Sequence, residues 1–144
     1  MLDNGYLCSA SFDNCIMIWD WKKARCLRYF KPHKEPVRSL CKLNNNLLIT
    51  GSEDNTIGVW DKNYKNIIFL EGHKYLIKSL CQIDDNLFAS GSFDNTIKIW
   101  DLTKCECIDT LKGHQSNVIC VIKYNEKILI SCSCDNTIKI WEKK

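Results

Sequence analysis

The strongest constraint on this chain is that it repeats itself. The stretch Ser92-Phe93-Asp94-Asn95-Thr96-Ile97-Lys98-Ile99-Trp100-Asp101 has three counterparts. They are Ser11-Phe12-Asp13-Asn14 running to Trp19-Asp20, Ser52-Glu53-Asp54-Asn55 running to Trp60-Asp61, and Ser133-Cys134-Asp135-Asn136 running to Trp141-Glu142. The tryptophans at 19, 60, 100 and 141 are spaced by 41, 40 and 41 residues. A fixed period of this size implies a repeat architecture, in which one unit cannot bury its apolar faces alone and must stack on its neighbours.

Each copy reads as short strands. Val37 to Leu43, Leu47 to Thr50, Thr56 to Trp60 and Ile67 to Leu70 are runs of β-branched and aromatic residues, the composition that suits a pleated surface. Asn44-Asn45-Asn46, Glu53-Asp54-Asn55 and Asp61-Lys62-Asn63 separate them, and Asn and Asp favour such turns because they tolerate left-handed backbone and bond to it locally. The later runs are Leu76 to Ile83, Leu87 to Ser90, Thr96 to Trp100, Cys107 to Leu111, Val118 to Tyr124, Ile128 to Ser131 and Thr137 to Trp141. Ile97 and Ile99 alternate with Trp100, as Ile138 and Ile140 do with Trp141, so both faces of each small sheet need cover.

At 144 residues, 45% hydrophobic and 26% charged, the composition is that of a globular domain and not of a disordered segment. A net charge of +3 is too small to imply nucleic acid or an anionic membrane. No apolar run reaches the length that spans a bilayer, and Met1-Leu2-Asp3-Asn4 lacks the features of a secretion signal. The expected setting is soluble and unsecreted, in the cytoplasm with the nucleus as the alternative. Of the ten cysteines, Cys26 and Cys107 precede His33 and His114 by the same interval, and Cys41 and Cys81 follow His33 and His73 by the same interval. Cysteines that follow the repeat are expected to act as small buried hydrophobes and reduced thiols. Cys105/Cys107 and Cys132/Cys134 have a single intervening residue, which is not the spacing zinc favours, so neither metal nor cofactor is expected.

The combination resembles the WD40 repeat over essentially the whole chain. Leu70-Glu71-Gly72-His73 and Leu111-Lys112-Gly113-His114 look like the family's Gly-His element, and Phe30-Lys31-Pro32-His33 is a variant with Pro in place of Gly. Each histidine precedes the next turn aspartate by 21 residues: His33 to Asp54, His73 to Asp94, His114 to Asp135. The resemblance implies an all-β fold of four-stranded antiparallel propeller blades. Residues 1–30 would form a partial blade, 33–70 and 73–111 complete blades, and 114–144 a blade without its last strand. That amounts to fourteen strands, about three and a half blades, and an incomplete propeller with apolar faces and strand edges open. A segment of a longer parent chain is the first expectation, and self-association of two copies to complete the ring is the second.

The resemblance also implies a hydrogen-bonded set within each blade: His33, Thr50, Asp54 and Trp60; His73, Ser90, Asp94 and Trp100; His114, Ser131, Asp135 and Trp141. A buried carboxylate needs donors, and imidazole, hydroxyl and indole can supply them around one site. The first copy has Ser9, Asp13 and Trp19 without a histidine. Ser, His and Asp also suggest a hydrolytic triad, but one that recurs in every repeat without a Gly-x-Ser-x-Gly elbow reads as structure, and no enzyme is expected.

Proteins of this family generally bind partners on the face built by the loops before the first strand and between the second and third. The recurring positions there are Pro36 and Arg38, Leu76 and Lys78, Asn117 and Ile119, with Phe12, Glu53, Phe93 and Cys134 before the turn aspartates. Phe12, Arg38, Glu53, Lys78 and Phe93 are the candidate partner-binding residues of a non-enzymatic scaffold. Exposed phenylalanines beside Arg38 and Lys78 would suit a protein or peptide with an apolar anchor and an acidic group. One alternative is a ubiquitin-ligase substrate receptor reading phosphorylated degrons; only Arg38 fits that chemistry well, and Glu53 would repel phosphate. The other is an RNA-associated subunit using Lys22, Lys23, Arg25, Lys62, Lys65 and Lys104 on the opposite rim. Nucleic acid is not favoured, because solvated turn lysines explain these residues and no stacking aromatics accompany them.

Overall fold

The computed structural model describes residues 5–142, which run back and forth through fourteen strands. They are β1 (Leu7–Ala10), β2 (Ile16–Asp20), β3 (Arg25–Phe30), β4 (Val37–Lys42), β5 (Leu48–Ser52), β6 (Ile57–Trp60) and β7 (Asn66–Leu70). They continue as β8 (Ile77–Gln82), β9 (Leu87–Ser92), β10 (Thr96–Asp101), β11 (Glu106–Lys112), β12 (Val118–Lys123), β13 (Ile128–Ser133) and β14 (Ile138–Glu142). Consecutive strands pair antiparallel into four sheets: β1-β2-β3, β4-β5-β6-β7, β8-β9-β10-β11 and β12-β13-β14. These are the blades of an incomplete propeller. The inner strands β4, β8 and β12 lie against one another, while among the described residues the first sheet has no counterpart of β4 and the last none of β7 and β11. The outer bounds expected at residues 1 and 144 fall outside the described residues.

Asparagine sets the tight turns. Asn14, Asn55, Asn95 and Asn136, each one residue after the turn aspartate, have φ of 69°, 69°, 67° and 63°, and Asn46 has 66°. The reversal between the third and fourth strands is less orthodox, because Ala24, Tyr64 and Cys105 carry the positive φ there. The shorter 40-residue period has its origin in this turn. Trp60 pairs with Asn66, whereas Trp19 pairs with Cys26 and Trp100 with Cys107, so the second sheet makes the same reversal with one residue fewer.

The core lies between sheets. Ile49, Ile57 and Val59 on one sheet meet Ile77, Leu80 and Phe88 of the next, and Ala89 and Ile97 meet Val118 and Val121. Fully burying one such aliphatic side chain stabilises by about 1.5–3 kcal/mol. Close approach is possible because Gly51 and Gly91 have no side chain. A Cβ on Gly51 would stand 2.6 Å from Ile77 Cγ2, and one on Gly91 would stand 2.8 Å from Val118 Cγ1. The last sheet has Cys132 at this position and no following sheet among the described residues. Its Ile138 and Ile140 are 73% and 69% exposed, whereas Ile57 and Ile97 are fully buried. The open apolar face expected of an incomplete ring is therefore present.

The expectation that repeat-following cysteines are buried needs correction. Cys26 is exposed and Cys41, Cys81 and Cys107 are only half-buried, because β3 and β11 are outer strands and β4 and β8 are the opposite edges of their sheets. All ten thiols are free. Burial pushes the Cys41 thiol up to about 11 and raises that of Cys81, so both are protonated near neutrality.

Candidate interaction face

The face is held by networks beneath it, and these begin with a tryptophan. The Trp60 indole N–H donates to Thr50 Oγ1 at 3.0 Å, that hydroxyl lies 2.7 Å from His33 Nε2, and His33 Nδ1 lies 3.0 Å from Asp54 Oδ2. In the third sheet the same path runs from Trp100 to Ser90 at 2.7 Å, to His73 at 2.6 Å and on to Asp94 at 2.7 Å. The fourth sheet repeats it from Trp141 through Ser131 and His114 to Asp135, each step 2.8 Å. One proton arrangement satisfies every atom: indole donates to hydroxyl, hydroxyl to Nε2 of a neutral imidazole, and Nδ1–H to the carboxylate. In the first sheet, among the described residues, the step from tryptophan to hydroxyl is the one present, Trp19 to Ser9 at 2.9 Å.

Two further residues per repeat belong to each network and were not singled out in the sequence. Thr56, Thr96 and Thr137 donate their hydroxyls to the turn aspartate, each at 2.6 Å. Ser52, Ser92 and Ser133 accept from the aspartate's own N–H and donate to the carbonyls of Glu35, Tyr75 and Ser116. Their signal was the recurrence of Ser-x-Asp-Asn-Thr itself, which breaks only in the first copy, where Cys15 replaces the threonine. The N–H of the residue after each histidine (Lys34, Lys74, Gln115) also donates to the carboxylate.

These contacts decide the state of the carboxylates. Burial alone would raise the Asp54 carboxyl, but donation from His33 and Thr56 outweighs it and holds the group well below the usual carboxylate range. Asp94 follows the same balance with His73 and Thr96. At Asp135 the opposing burial is overcome by Thr137, the Gln115 N–H and His114. Ser90 and Ser131 are 0% and 1% exposed, and each hydroxyl is committed to a histidine and a tryptophan.

By anchoring the turn, each network fixes the loops above it. The residue before the aspartate is tied by its N–H to the loop before the first strand: Glu53 to Pro36 O at 2.9 Å, Phe93 to Leu76 O at 3.1 Å, Cys134 to Asn117 O at 2.9 Å. Glu53 is thereby brought to Arg38, whose Nε and Nη2 donate to its carboxylate. The Arg38 guanidinium lies 3.8 Å from the centre of the Phe12 ring, which reaches over from the first sheet and is 67% exposed. Phe12, Arg38 and Glu53 thus form one cluster. Lys78 and Phe93 belong to the third sheet, and Phe93 is half-buried, its backbone bond holding it against the neighbouring loop. Tyr75, 63% exposed just after His73 and Lys74, is an aromatic of this face that the sequence reading missed.

The opposite rim also departs from expectation. Lys22, Lys23, Arg25, Lys62, Lys65 and Lys104 are all exposed, but an aromatic does accompany them. Trp21 is 49% exposed with the Lys22 ammonium 5.9 Å from its ring centre, and its indole N–H is held by Gly5 O at 2.9 Å. Nearby, Arg28 lies between Phe30 and Tyr64, 5.6 and 5.8 Å from their centres, and clamps the first sheet to the second. Among the described residues no group of three or more His, Cys, Asp or Glu side chains could hold a metal ion.

Comparison with known proteins agrees with this architecture. A family model described as "WD domain, G-beta repeat" matches residues 2–20, 24–61, 64–101 and 105–142. Mitochondrial division protein 1 of Pyricularia oryzae is 39% identical over 57 residues, 40% of this chain and 8% of that protein. The WD repeat-containing protein 55 homolog of Drosophila erecta is 32% identical over 68 residues, 46% of this chain and 14% of that protein. The chain therefore aligns with only a small part of each relative.

Proposed function

We propose that this chain, which belongs to the WD40 repeat family, uses the loop face centred on Phe12, Arg38 and Glu53 to bind a peptide segment of a protein partner. WD40 repeats imply a protein-interaction scaffold, and the placement of the binding surface is the finer step. It is supported by the most exposed aromatic of that face, Phe12, resting on an arginine fixed from below. A large, rigid ring presented to solvent at the centre of a polar cluster is the usual form of a binding hot spot. Tyr75, Lys78 and Phe93 extend the surface over the third sheet. The burial of the Thr50, Ser90 and Ser131 hydroxyls favours this reading over catalysis.

Selection of random peptides on the purified chain tests the assignment. Selected peptides should share an apolar or aromatic anchor, and Phe12→Ala should weaken them by about tenfold or more, the loss typical of a hot-spot side chain. Binders that ignore substitutions at Phe12, Arg38, Lys78 and Phe93 alike would move the site elsewhere.

A further inference from the structure

We propose that Glu53 is a built-in competitor for the Arg38 guanidinium, so that this face selects unphosphorylated peptides through Phe12 and rejects phosphorylated ones. The inference rests on the interaction-face reading above and specifies its ligand chemistry.

An arginine reads phosphate or carboxylate by presenting two parallel N–H donors of its planar fork to two oxygens. Here the Nε and Nη2 edge of Arg38 already faces the Glu53 carboxylate, and one flat side of the guanidinium is covered by Phe12 at 3.8 Å. Both side chains of the pair are only 24% exposed, so solvent competes for them weakly. Glu53 is also not a freely moving competitor. Its backbone N–H is bonded to Pro36 O, two residues before Arg38, and its preceding residue, Ser52, is buried and bonded to Glu35 O. A carboxylate tethered this way acts at a high effective concentration, which an incoming anion must exceed.

A phosphate approaching Arg38 would have to break that pair and then sit beside the released carboxylate, a like-charge contact that disfavours the complex. An apolar or aromatic side chain meets no such obstacle. The outer side of the Phe12 ring is open, and the cation on its inner side is already neutralised, so the ring takes a stacked aromatic, a proline or an aliphatic anchor. Arg38 therefore serves as the support on which Phe12 is held, and Glu53 as the residue that decides which ligands the support can see.

The test needs no identified partner. Inorganic phosphate is titrated into the full chain and into Glu53→Gln at constant ionic strength, following the Arg38 Nε–H and residue-53 amide signals by NMR. Melting of both proteins is recorded to show that the substitution leaves the fold intact. The wild-type signals should show no saturable change, while Glu53→Gln should bind phosphate at least about tenfold more tightly, and adding Arg38→Ala should abolish that gain. Saturable binding at Arg38 in the wild type, or a Glu53→Gln protein no better than wild type, would overturn the proposal. Because phosphate is the probe, this result is readable even if peptide selection shows the partner site to lie elsewhere.

Discussion

The third and fourth sheets carry the identical sequence Thr-Ile-Lys-Ile-Trp in their third strands, Thr96 to Trp100 and Thr137 to Trp141, and live in different surroundings. Their hydrogen-bonded networks are alike to about a tenth or two of an ångström at each step. Their isoleucines are not alike at all: Ile97 is fully buried against Val118 and Val121, while Ile138 and Ile140 stand in solvent. The network is thus a property of one repeat, completed by residues of that repeat alone. Core burial is a property of two repeats in contact. A repeat fold needs both, since the first gives each sheet its shape and the second gives the stack its stability.

The sharpest way to separate the two is a matched pair of truncations. Ile97→Ala should destabilise by about 2–5 kcal/mol in denaturant melts, as buried aliphatic truncations do. Ile138→Ala should stay within about 0.5 kcal/mol, as exposed substitutions do. Equal effects would mean that the open face is covered in solution. Asp94→Ala should come next, at about 2–4 kcal/mol, because the donors of His73, Thr96 and Lys74 are left without their acceptor. The Asp135 counterpart should act in the same direction.

Smaller effects sharpen the inter-sheet side of the contrast. Gly51→Ala should cost about 1–3 kcal/mol by overpacking against Ile77, whereas Cys132→Ala, at the equivalent position of the last sheet, should be near neutral. Acid should expose the network. Asp54, Asp94 and Asp135 have carboxyls held below the ordinary range, so the unfolded chain binds protons more readily than the folded one. Their contribution is complete above the unfolded value of about 3.9 and is lost as pH falls through it toward the depressed folded values. Melts between pH 6 and 2 should show the loss setting in below about pH 4, and Asp94→Asn should lose less than wild type over that range.

How much of this was legible in the sequence follows the same division. The networks could be read because each is closed within one period: the resemblance implied the pairing of His73 with Asp94, and their 21-residue interval recurs in the other copies. Thr96 and Ser92 are equally periodic, but the family's set of four does not include them, so the structure and not the resemblance reveals their part in the network. The exposed isoleucines followed from counting strands. What does not repeat was not readable. Arg28 between Phe30 and Tyr64 joins neighbouring sheets through residues that occur once, and Phe12 and Arg38, though at recurring positions, make a cross-sheet contact that does not recur, so no periodicity announces either contact. Nor could composition foresee positive φ at Ala24, Tyr64 and Cys105, since the turn's geometry is imposed by the paired strands on residues that do not favour it.

Exchange of the indole N–H protons, followed by NMR in the native protein, tests the central claim most directly. If each network closes its own sheet without help from a neighbour, Trp60 and Trp100 should exchange slowest. Trp141, at the open end but with its serine, histidine and aspartate in place, should exchange well below the rate of Trp19, which has only Ser9. Exchange of Trp141 as fast as that of Trp19 would contradict the account, because it would mean that the network holds only where a second sheet covers it.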